Sequence, residues 1–135
     1  MATVSTEGLI AALNYLNTAG YGTWQIRLTK ATYTLTSASV LANLTALEST
    51  FPGYAAQGLL APAAAAIDGS GNAIASFGSY TFVTTGTSSE LTYGMFVADT
   101  ALSVLIGYAQ FATAIDMTGA GNQCIVALSD FLDPA

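Results

Sequence analysis

FGSYTFVTTGTSSELTYGMFVADTALSVLIGYAQF, residues Phe77 to Phe111, decides how the chain is read. Tyr80, Phe82 and Thr84 alternate with Thr81 and Val83. After the polar turn Gly86 to Glu90, Tyr93, Met95 and Val97 alternate with Phe96 and Ala98. A short link through Asp99, Thr100 and Ala101 leads to Val104, Ile106 and Tyr108, with Leu105, Ala109 and Phe111 interleaved. Period-two patterning with aromatic and β-branched enrichment is the signature of strands. Three strands in a row predict an antiparallel meander that serves as scaffold.

The flanks extend the pattern. Trp24, Ile26 and Leu28 predict one buried face of a strand, and Gln25, Arg27 and Thr29 an outward face. Lys30 to Ser39 is rich in Thr and Ser and reads as loop or unpatterned strand. Val40, Leu41, Leu44 and Leu47 share a helical face, so VLANLTAL reads as a short helix or turn. Pro52-Gly53 marks a turn within a connector from Glu48 to Gly58, pinned by Phe51 and Tyr54. Asp68 to Asn72, DGSGN, reads as a hairpin tip. The spacing does not fit a calcium loop, whose twelfth position here would be Ser79 rather than Glu. Thr113 to Asn122 reads as a loop holding Asp116. Gln123 to Ser129 reads as a last strand, with Cys124, Val126 and Leu128 on one side. Before all of these, Leu9, Ile10, Leu13 and Leu16 predict a short amphipathic N-terminal helix, capped by Ser5 or Thr6.

Seven or eight short strands with Gly, Thr and Ser turns predict a mainly β domain, an antiparallel β-sandwich or jelly-roll-like barrel. Residues 1–135 are expected to form a single domain, with an N-terminal arm at 1–6 and a C-terminal tail at 130–135. Val4 in the arm and Phe131 and Leu132 in the tail are candidate interface residues.

Composition narrows the function. Only 7% of residues are charged, against about one-quarter in ordinary domains. Arg27 and Lys30 are the only basic residues, and the net charge is −6. Binding to nucleic acid or to an anionic membrane surface requires clustered cations that this chain lacks. The start has neither a basic flank nor a long apolar run, and is not read as a signal peptide. No apolar run is long enough for a spanning helix. Histidine is absent, which removes imidazole acid–base catalysis and most zinc chemistry. The eight acids are scattered and lie mostly in predicted turns, with no pairing that reads as a glycosidase. The chain is therefore read as a non-enzyme with no metal and no cofactor. Cys124 reads as a small buried hydrophobe, and Asp99 as the anchor of an Asx turn. Tyr54, Tyr80, Tyr93 and Tyr108 are read as core rather than as a sugar-stacking stripe.

The order of motifs resembles a group of small tailed-phage structural proteins. It comprises Trp24 to Leu28, Phe51-Pro52-Gly53-Tyr54-Ala55, Phe82 with Gly86, then Tyr93-Gly94-Met95-Phe96-Val97-Ala98-Asp99, and Val104 to Phe111. The chain departs from that pattern at Gly107-Tyr108-Ala109-Gln110. The resemblance implies a bacteriophage virion component, such as a capsid decoration, collar or viral-tail protein. It would be a homo-oligomer in contact with other virion proteins, with Phe51, Pro52, Gly53, Tyr54, Tyr93, Gly94, Phe96 and Asp99 in structural roles. The alternative is a fibre or receptor-binding module that uses the tyrosines and the Asp99 and Asp116 loops on a surface glycan.

Overall fold

The structure, a computed structural model, describes residues 21–59, 66–67, 69–71, 73–74 and 76–128. The expected N-terminal helix, the arm with Val4 and the tail with Phe131 and Leu132 lie outside the described residues. The fold is mainly β, with antiparallel sheets and one small helix.

Contacts group the chain into two compact units. The larger comprises Thr23–Gly58 and Tyr80–Val126. Its framework is a four-stranded antiparallel sheet in the order β2-β1-β6-β7, where β1 is Trp24–Thr29, β2 Gln57–Gly58, β6 Leu91–Asp99 and β7 Val104–Asp116. β1 runs against β6 from Trp24 opposite Asp99 to Thr29 opposite Gly94. In the second unit, β3 (Ala66–Ile67) and β4 (Ala73–Ile74) pair antiparallel around the expected hairpin tip. Gly71 there takes φ 86.

β5 (Ser79–Val83) and β8 (Gln123–Ala127) form a separate two-stranded sheet. Phe77 N–H donates to Leu128 O, and Thr84 N–H donates to Asn122 O, so one strand descends as the other rises. The three-strand meander expected from the sequence does not form. β6 and β7 are antiparallel neighbours, but β5 is not in their sheet. The reason is that both edges of β6 are taken, one by β1 and one by β7. β5 and β8 each show strict alternation, with Tyr80, Phe82, Cys124 and Val126 buried.

β1 and β6 depart from simple alternation. Thr29 is buried, as are Phe96 and Ala98 along with Met95 and Val97. α1 (Leu41–Thr45) covers the Phe96 and Ala98 side of β6, where its Leu44 forms a cluster with both. Tyr33, Leu41, Leu105 and Tyr108 pack around that cluster. Asn43 sets the start of this one-turn helix by accepting Val40 N–H at 2.9 Å through Oδ1. A helix this short has no stability of its own in water, so packing of Leu44 holds it.

β7 also runs further than expected, to Asp116, taking in part of the predicted loop. It reaches that length through irregularity. Gly94 faces Gln110 while Thr92 faces Ile115, and a second register shift falls between Val97 and Ala98. At Gly94 a Cβ would lie 2.7 Å from Ala109 O and 2.9 Å from Tyr108 side-chain atoms. Only glycine allows β7 to come that close.

Candidate interaction surface

The two motifs singled out in the sequence build two turns in the larger unit. In the first, Tyr54 N–H donates to Phe51 O at 3.0 Å, and Gly53 takes φ 84. Proline followed by a positive-φ glycine is a type II turn. Pro52 O accepts from Thr85 N–H at 2.9 Å, and a Cβ on Gly53 would lie 2.6 Å from Thr85 Cγ2. Phe51 is buried and meets Tyr54 edge-on at 5.2 Å, and Tyr54 stacks on Phe82 at 6.0 Å. The Tyr54 hydroxyl accepts from Leu28 N–H at 3.1 Å and donates to Glu48 Oε1 at 2.9 Å. Burial, together with the Glu48 charge, pushes that phenol well above the usual tyrosine range, against smaller pulls from Leu28 N–H and Arg27. Glu48 is held in turn by Arg27 at 3.1 Å.

In the second turn, Asp99 ends β6. Its Oδ1 accepts from Thr23 Oγ1 (2.9 Å), Ala101 N–H (2.9 Å) and Leu102 N–H (3.2 Å), and its Oδ2 from Trp24 Nε1 (3.2 Å). Desolvation pushes the carboxyl up. The bonds from Leu102, Thr23, Ala101 and Trp24 outweigh it and hold the group below the usual aspartate range. Thr100 fastens the turn to Thr23 O through both its N–H (2.9 Å) and its hydroxyl (2.8 Å).

Exposed apolar residues lie on this turn and at the groove beside it. Leu102 is 71% exposed, Val40 55% and Val104 41%. Ser103 takes φ 54, the only positive φ at a non-glycine among the described residues. That left-handed backbone is costly for a residue with a Cβ. Two open grooves flank Ser103. One, of about 450 Å³, is lined by Leu41, Ala42, Thr45, Ala46 and Ser103. The other, of about 190 Å³, is lined by Ser39, Val40, Leu41, Ser103, Val104 and Leu105. None of these lining residues is ionisable.

A third groove, about 380 Å³, lies beside Tyr93 and is lined by Lys30, Thr50, Ser89, Glu90 and Leu91 as well. Glu90 spends its carboxylate on Thr50, accepting from its N–H at 2.9 Å and from its hydroxyl at 3.1 Å. Asp116 is bound within its own turn, accepting from Thr118 N–H and Oγ1, and these bonds lower its pKa. The four tyrosines have separate settings. Tyr80 is buried, Tyr54 stacks on Phe82, Tyr93 lines the polar groove, and Tyr108 meets Tyr33 edge-on at 5.9 Å. Cys124 is fully buried, and desolvation pushes its thiol up to about 11. Among the described residues no three of His, Cys, Asp and Glu gather as metal ligands would.

The sequence singles out Phe51 to Tyr54, Tyr93, Gly94, Phe96 and Asp99, and of these Asp99 fixes the turn that carries Leu102. The sequence reads Asp99 to Ala101 as a short link and Val40 as part of a helical face, and gives Leu102 no role. The available signal is a leucine inside an aspartate-anchored turn, where a polar residue is the norm. No known protein family, curated protein or solved structure matches this chain.

Proposed function

We propose that this chain is a non-enzymatic structural component of a phage virion, a decoration, cement or collar protein that works through repeated subunit contacts. The observation that carries the reading is the patch of Val40, Leu102 and Val104 on a chain with only 7% charged residues. Soluble monomers seldom leave contiguous apolar patches exposed unless something covers them. A particle protein can, because its copies sit permanently against neighbours, and many weak contacts add up through symmetry and avidity. The resemblance of the FPGYA and TYGMFVAD segments to small tailed-phage structural proteins supports the same reading.

The fold we propose for this role is a two-layer β-sandwich. A strand pair with Tyr80, Phe82, Cys124 and Val126 buried on one face needs a second layer to cover that face. The stacking of Phe82 on Tyr54, which itself bonds to β1 at Leu28, points to the four-stranded sheet as that layer.

Peptide mass spectrometry of purified virions that encode the chain tests the role. Recovery at a copy number comparable with other structural subunits supports it. Absence from intact particles, with the protein present in the infected cell, removes it.

A further inference from the structure

We draw no further inference here: the strongest candidate, the surface patch formed by exposed Leu102 on the Asp99 turn and by Val40 and Val104 at the groove beside it, carries none, because nothing in the structure shows what covers it.

Discussion

The two turns solve the same geometric problem in opposite ways. Both require a positive φ. At the Pro52-Gly53 turn a glycine supplies it, and the turn is packed so closely on Thr85 that no Cβ would fit. At the Asp99 turn a serine supplies it, and the neighbouring leucine is the most solvent-exposed large hydrophobic residue described. The first turn locks one part of the unit to another. The second is held rigidly from beneath by a buried carboxylate, yet its upper side is bare. Rigidity without cover is the arrangement expected of a contact surface prepared in advance, because little ordering entropy remains to be lost on docking.

Substitutions can break or sharpen that contrast. The largest effect is expected from Gly53→Ala, which combines a strained φ with a clash against Thr85. A loss of about 2–4 kcal/mol is expected in urea unfolding. A loss below about 0.5 kcal/mol, the level of an ordinary surface change, would show that the turn is not locked.

Asp99→Asn comes next. It keeps the shape but removes the charge that four donors converge on, and should cost about 1–3 kcal/mol near neutral pH. The folded-state pKa of Asp99 is depressed, so its contribution is fully present above the unfolded value of about 3.9 and is lost as pH falls through the lower folded value. Stability measured from pH 7 down to pH 2 should therefore decline less in the Asn variant than in the wild type. Parallel declines would mean that the turn does not depend on the charge.

Ser103→Gly should move in the other direction, gaining about 0.5–1 kcal/mol by relieving the left-handed backbone at a site open to solvent. A destabilisation would show that the serine side chain holds the turn. The smallest effect belongs to Leu102→Ala. At 71% exposure, in protein dilute enough to be monomeric, it should change unfolding free energy by less than about 0.5 kcal/mol. A larger loss would place Leu102 in the fold of the single chain and remove the contrast between the turns.

The sequence carried local signals well and long-range ones poorly. Trp24, Ile26 and Leu28 were legible as a buried face because alternation is written within six residues. The same holds for Cys124, Val126 and Leu128, for the turn at Pro52-Gly53 and for the mainly β class. Strand partners were not legible. Nothing within residues 77–111 says that β6 already has β1 on one edge, leaving β5 to pair with β8, some forty residues on. The burial of Thr29 was missed for a related reason. A polar residue at an alternate position reads as solvent-facing unless a later segment is known to return beside it, as Glu48 does in its bridge to Thr29. Of the surface, the sequence showed which residues anchor the turn, since aspartate, glycine and proline have distinctive backbone chemistry. It did not show that Leu102 would be left uncovered, because exposure depends on everything that fails to pack there.

The placement of the two cations has a practical consequence. Arg27 lies in β1, between β2 and β6, and Lys30 directly follows that strand. They are the only basic residues in the chain, so trypsin has only the bonds after these two residues to cut. Arg27 is also engaged by Glu48 and Gln25. Cleavage at Arg27 therefore requires β1 to leave the middle of its sheet, and its rate follows the population of molecules in which the sheet has opened. An ordinary digestive protease thus becomes a gauge of one strand.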